Sequence, residues 1–76
     1  MGARIYQRRN GEFGASCDGV ADTGHTIEQE HGRYTVWSLD DPDLVIAQSV
    51  PIREAEAAIA ADWRVKPLPP SSNRAA

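Results

Sequence analysis

The chain has 76 residues, of which 41% are hydrophobic and 25% charged, and its formal net charge at pH 7 is −3. So short a chain makes one domain at most and buries only about 60% of its unfolded surface, so its core is marginal. No apolar run approaches the roughly 20 residues of a membrane span, and the single cysteine, Cys17, excludes an internal disulfide framework. We expect a cytoplasmic protein with no membrane partner, for which homodimerisation is one route to added stability.

The charges are unevenly distributed. Residues 1–17 carry three arginines against one glutamate, whereas residues 18–43 carry seven acidic side chains against Arg33 alone. A block of this kind attracts a basic surface and repels phosphates. The middle third is therefore predicted to bind a basic partner, and nucleic acid would be involved only indirectly.

The first predicted element is a β-hairpin with strands at 3–9 and 12–17. Asn10-Gly11 between them suits the two central positions of a type I′ turn, where φ is positive. This turn fixes the register, with Tyr6 opposite Ala15. One face of the hairpin would then carry Tyr6, Phe13, Ala15 and Cys17.

Three more strands are predicted after a loop at 18–24 that contains two glycines. They are His25–Gln29, Tyr34–Leu39 and Leu44–Ser49, and the last two are joined by an acidic turn at 40–43. In the strand Tyr34–Leu39, Val36 and Trp37 fall on opposite faces. Because both faces carry apolar groups, this strand is expected to be central, with one face under a helix.

That helix is predicted over Pro51–Arg64, where Pro51 suits the first turn. Its apolar stripe, which is expected to dock on the sheet, contains Ile52, Ala55, Ile59 and Trp63. The predicted fold is α+β: an antiparallel sheet of four to five strands in meander order, with one C-terminal helix packed on one face. Residues 1–66 would form the compact domain, and 67–76 a flexible tail rich in proline and serine.

Ligand-type side chains are present without a recognisable spacing. Cys17, His25 and His31 match no zinc pattern, and the acidic turn lacks the glycine and glutamate of a calcium loop. We therefore expect no metal and no cofactor. An alternative is a small enzyme that uses Cys17 with a histidine, but so small a domain has little room for a cleft, and we expect no catalytic activity.

Two sets of residues are candidates for binding. The partner-binding set combines acidic side chains with aromatic anchors, namely Glu28, Glu30, Asp40, Asp41, Asp43, Trp37 and Tyr34. The alternative is a small nucleic-acid-binding regulator that uses Arg4, Arg8 and Arg9. Three arginines on a hairpin are also typical of a solvated strand edge that discourages pairing between molecules.

One pattern of residues lies between positions 34 and 59: Tyr34, Val36, Ser38, Asp43 to Ala47, Ser49, Glu54, Ala55, Glu56 and Ile59. This pattern resembles small proteins encoded by bacteriophages and other mobile elements, of the anti-CRISPR type. The resemblance implies a non-enzymatic inhibitor in a bacterial host cell, which binds a host protein or ribonucleoprotein complex and blocks its access to nucleic acid. Members of that group share a role and not a motif, so no functional residue is carried over.

Overall fold

The computed structural model describes residues 2–64, so the predicted tail at 67–76 lies outside the described part of the chain. The fold is α+β, as predicted. Its elements in chain order are β1 (Ala3–Gln7), β2 (Phe13–Cys17), β3 (Ile27–Glu30), β4 (Arg33–Trp37), β5 (Val45–Val50) and α1 (Ile52–Arg64).

The strands form two antiparallel sheets, so the prediction of one sheet with four to five strands was wrong. β1 pairs with β2, and β3, β4 and β5 form a second sheet in that order. Within each sheet, neighbouring strands follow one another in the chain, as in a meander. The break in the ladder falls between β2 and β3.

The loop after β2 explains the break. Val20 exchanges two backbone hydrogen bonds with Cys17, and the N–H of Thr23 donates to the carbonyl of Ala15 at 2.7 Å. These bonds occupy the edge of β2 that faces away from β1. Since a backbone group that is already bonded cannot join a ladder, the C-terminal half of this edge of β2 is not available to β3.

The hairpin β1–β2 also differs in register from the prediction. Gly11 has φ +91°, and the N–H groups of Gly11 and Arg8 donate to the carbonyls of Arg8 and Glu12, which defines a three-residue loop. Ile5, and not Tyr6, is therefore opposite Ala15. The slip of one residue reverses the faces of β1, so Tyr6 leaves the predicted apolar face and Ile5 packs against the core.

The three-stranded sheet is bent at β5. Its pairing with β4 shifts register twice, and Ser49 adopts φ +52° within the strand. The Ser49 amide donates to the Thr35 hydroxyl at 3.1 Å, and the Ser49 carbonyl accepts from Arg33 Nε at 2.8 Å. Side-chain hydrogen bonds thus satisfy backbone groups that these bulges remove from the ladder.

Helix α1 packs against both sheets and completes a single core. Ala55 and Ile59 are fully buried, and Trp63 packs against the core cluster, as the predicted stripe requires. Ile52 is the exception: it is 39% exposed, because the stripe begins one turn later. Among residues 2–64, no helix has the length and apolar character needed to cross a bilayer.

Candidate functional site

The three-stranded sheet has one face toward the core and one face away from it. Ile27 and Val36 are opposite each other and are both buried, so they define the inner face. Side chains alternate along a strand, and the residues next to them point the other way. We define the outer face by these residues: Glu28, Glu30, Arg33, Thr35 and Trp37.

An acidic loop, residues 39–44, lies at one end of the outer face. Asp41, Pro42, Asp43 and Leu44 form a tight turn in which the Leu44 N–H donates to the Asp41 carbonyl at 2.9 Å. The Asp41 carboxylate also accepts from the N–H of Asp43 at 3.0 Å. The predicted turn is confirmed. It holds exposed carboxylates in one place at the end of β4.

Apolar side chains lie beside this loop. Leu44 is 53% exposed and Val45 is 37% exposed, and Val45 is the partner of Trp37 across the β4–β5 pair. The half-buried Trp37 therefore lies on the outer face with exposed aliphatic groups next to it. An aromatic ring, exposed aliphatic side chains and carboxylates together are typical of protein interfaces.

The predicted partner-binding residues are only partly brought together. Glu28 is opposite Thr35 and thus diagonal to Trp37, whereas Glu30 is opposite Arg33 at the far end of β4 from the acidic loop. β4 has five residues, which at about 3.3 Å per residue separates its ends by more than a Debye length. Tyr34 lies on the inner face, where its ring packs edge-on against Phe13 at 5.7 Å.

A buried hydrogen-bond network holds the acidic loop to the helix. The carboxylate of Asp62 in α1 accepts from the Leu39 N–H at 3.2 Å and, at a long 3.5 Å, from the Ser38 hydroxyl. It also lies 2.8 Å from Nε2 of His25, and Nδ1 of His25 lies 2.6 Å from the Thr23 hydroxyl. Asp62 therefore joins the β2–β3 loop and the acidic loop to one turn of helix.

A carboxylate can only accept hydrogen bonds, so Asp62 accepts from the Leu39 N–H and from His25 Nε2–H. Thr23 Oγ1 accepts from the His25 backbone N–H at 3.4 Å and also forms a hydrogen bond with His25 Nδ1. Hydroxyl, imidazole and carboxylate in series are also found in catalytic triads, but Thr23 is 6% exposed and His25 only 2%. Both side chains are buried, and the arrangement links the two loops to α1, so we call it the clamp.

Sequence reasoning missed this clamp, although a signal was available. Asp62 lies seven residues after Ala55 and three after Ile59, so at 100° per residue it falls on the buried side of the helix. A carboxylate in that position requires hydrogen-bond donors from another element. His25, with its polar neighbours, was the obvious candidate.

The arginines of the alternative hypothesis are not equivalent. Arg8 lies across Gly14, where an added Cβ would be 2.8 Å from the guanidinium, and its Nη2 contacts Asp22 at 2.6 Å. Asp22 raises the pKa of Arg8, and the Gly24 N–H together with Arg8 lowers the pKa of Asp22. The charge of Arg8 is thus largely neutralised within the molecule. Arg4 and Arg9 remain exposed.

The residues of the remaining hypotheses are dispersed. Cys17 is buried in the core, both ring nitrogens of His25 are engaged, and His31 is exposed in the β3–β4 turn. Among residues 2–64, no three histidine, cysteine, aspartate or glutamate side chains are close enough together to hold a metal ion.

Comparisons with known proteins give no relative: no family model matches the chain, and no curated protein or solved structure does.

Proposed function

We propose that this protein is a non-enzymatic binding module that docks the outer face and the acidic loop on a basic surface of a host protein or ribonucleoprotein complex. The observation that carries the proposal is the position of Trp37, with Val45 and Leu44 beside it and the acidic loop at the same end of the sheet. Apolar contacts there would supply affinity, and the carboxylates of Asp41 and Asp43 would steer the encounter.

The acidic charge of the docking surface determines what the bound protein would exclude from its partner. A basic surface that accepts carboxylates is one that also accepts phosphates, so the bound module would exclude nucleic acid from it. Inhibition of nucleic-acid access, as the resemblance to anti-CRISPR proteins implies, is the activity that we propose. Tyr34 has no part in the contact because its ring is on the inner face, and Glu30 would contribute only to long-range attraction.

The proposal is tested by capture with matched variants. The double variant Asp41→Asn/Asp43→Asn and the control Asp18→Asn/Glu54→Gln have the same net charge, but the control residues lie outside the outer face and the acidic loop. Tagged wild-type protein and control should retain the same partner from a bacterial lysate, and the loop variant should lose it. Added duplex DNA should displace the partner. Equal capture by both variants, or indifference to DNA, would contradict the proposal.

One measurement distinguishes the alternative function, direct nucleic-acid binding, from the proposed function. Arg4 and Arg9 are exposed, so fluorescence anisotropy with a labelled DNA duplex at low salt would detect binding through them. We expect no binding, because the net charge is −3 and Arg8 is neutralised by Asp22. Saturable binding that is lost in Arg4→Ala/Arg9→Ala would favour the regulator.

A further inference from the structure

Within residues 2–64, no strand pairs with the outer edge of β3, and this edge opens into a groove. β3 is the first strand of that sheet, and a groove of about 620 Å³ separates it from the β1–β2 hairpin. The walls of the groove are residues 24–29 on one side and, on the other, the hairpin residues Arg8, Gly11, Glu12 and Phe13.

The backbone of β3 presents its hydrogen-bonding groups to this groove. The N–H of Trp37 donates to the carbonyl of Thr26 at 3.0 Å, so Thr26 and Trp37 are a hydrogen-bonded pair. Such pairs alternate along an antiparallel ladder, which makes Glu28 opposite Thr35 the next one. The N–H and C=O groups of Ile27 and Gln29 consequently point away from β4 and toward the groove.

The other strand edges among the described residues are each partly protected. A carboxylate oxygen of Glu56 accepts from the Ile5 N–H of β1 at 2.9 Å, and the loop at 20–23 occupies β2. β5 is bulged twice and carries the positive φ of Ser49. These are the ways in which proteins protect an edge from pairing. β3 differs from them because its pairing with β4 has no bulge and its edge faces a groove.

We propose that this groove binds an extended peptide of alternating basic and apolar residues, which adds to β3 as an antiparallel strand. The peptide residues opposite Ile27 and Gln29 would point inward, where Phe13 supplies an apolar wall. Those opposite Glu28 and Glu30 would point outward, where a lysine or arginine forms a cross-strand ion pair. The same glutamates disfavour a second copy of β3, because like charges would then be opposite each other.

The arginine in the groove wall does not oppose this assignment. Arg8 contacts Asp22 at 2.6 Å and Glu12 at 3.8 Å, so its charge is compensated locally. Glu28, an acidic residue, is also among the residues that line the groove. The inference goes beyond the proposed function, since it uses the backbone edge of β3 and the groove, which are separate from the acidic loop; Glu28 and Glu30 belong to both surfaces.

The test uses synthetic peptides and the uniformly ¹⁵N-labelled full chain. The probe is acetyl-Lys-Val-Lys-Val-Lys-Val-amide, titrated while the exchange of the Ile27 and Gln29 amide protons is followed by NMR. We expect slower exchange at these two amides. N-methylation of the valines should abolish binding, because valine N–H groups face β3, whereas N-methylation of the lysines should not. The same peptide with glutamate in place of lysine should not bind.

Protein variants complete the test. Gln29→Pro removes the edge donor and leaves the ladder to β4 intact, so it should abolish binding. Glu28→Gln should weaken binding about two- to fivefold, and the matched charge control Asp18→Asn should not change it. Asp41→Asn/Asp43→Asn should also bind normally, which separates this inference from the proposed function. No binding of the probe, equal binding of the N-methylvaline peptide, or perturbations centred on residues 40–45 would overturn the inference.

Discussion

Replacement of Asp62 by alanine should destabilise the protein more than any exposed substitution in α1. The variant leaves two donors in the interior without their acceptor, the imidazole Nε2–H of His25 and the Leu39 N–H. Each unsatisfied donor costs about 1–3 kcal/mol. Alanine is a better helix former than aspartate, which offsets about 0.5 kcal/mol of this loss in stability. We expect a net loss of about 1.5–5.5 kcal/mol in the free energy of unfolding.

This loss is large relative to the total free energy of unfolding expected for a chain of this length. At about 0.05–0.15 kcal/mol per residue, the total stability is roughly 4–11 kcal/mol. Urea unfolding followed by tryptophan fluorescence measures the change. With a denaturant slope of about 1 kcal/mol per molar, the midpoint should fall by about 1.5–5.5 M. Glu54→Ala, which removes an exposed carboxylate from the first turn of the same helix, is the control and should move it by about 1 M or less.

Asp62→Asn keeps the test decisive if the alanine variant does not fold. The amide retains one oxygen acceptor but turns an NH₂ group toward N–H donors, so its midpoint should lie between those of the wild type and Asp62→Ala. A midpoint equal to that of the wild type in either variant would show that the clamp contributes nothing to stability, and the reasoning from unsatisfied donors would be refuted.

Three further predictions concern the hairpin, the core and acid pH. Gly11→Ala should cost about 1–2 kcal/mol in stability, because φ +91° is unfavourable for an L side chain. The control Gly2→Ala, which has open space around it, should be neutral. Thermal unfolding compares the two variants, and equal midpoints would contradict the loop assignment. Ile59→Ala should lower the free energy of unfolding by about 2–5 kcal/mol, because the Ile59 side chain is fully buried. Ile52→Ala should lower it by less than about 1 kcal/mol, because Ile52 is 39% exposed. Similar urea midpoints for the two variants would contradict the observed stripe. The pKa of Asp22 in the folded protein lies below its ordinary value of 3.8, so the stability that its carboxylate contributes is complete above pH 3.8 and is lost as the pH falls through the lower, folded value. The urea midpoint of Asp22→Asn should therefore be lower than that of the wild type at pH 7, and the two midpoints should converge in strong acid. A difference between the midpoints that persists in strong acid would show that the stability does not come from the Asp22 carboxylate.

Local patterns predicted the elements well, because they depend on neighbours in the chain. The alternation of Val36 and Trp37, the turn at 40–43 and the helix with Ala55 and Ile59 on one side were all expected and are confirmed. Each follows from strand or helix geometry acting on a few consecutive side chains. The hairpin was located but misaligned by one residue, since Asn-Gly fits both a two-residue turn and the three-residue loop observed.

The sequence predicted several residues of the candidate site but not their positions relative to one another. The sequence identified Glu28, Trp37 and the acidic turn as binding candidates. It did not indicate that Glu30 lies at the other end of β4, or that the ring of Tyr34 packs on Phe13. These placements depend on which strands pair, and pairing is decided by contacts between distant parts of the chain.

The sequence alone therefore determined a small α+β domain with an acidic centre, because periodicity and turn chemistry are read from adjacent residues. Only the tertiary structure decided that the strands divide into two sheets, that Asp62 joins two loops through His25, and that no strand within residues 2–64 pairs with the edge of β3. In the first two cases the cause is the saturation of hydrogen-bonding groups: the loop at 20–23 bonds to part of the edge of β2, and α1 supplies the acceptor that the loops lack. Local sequence placed Asp62 on the buried side of the helix, but which distant groups bond to one another depends on the whole chain.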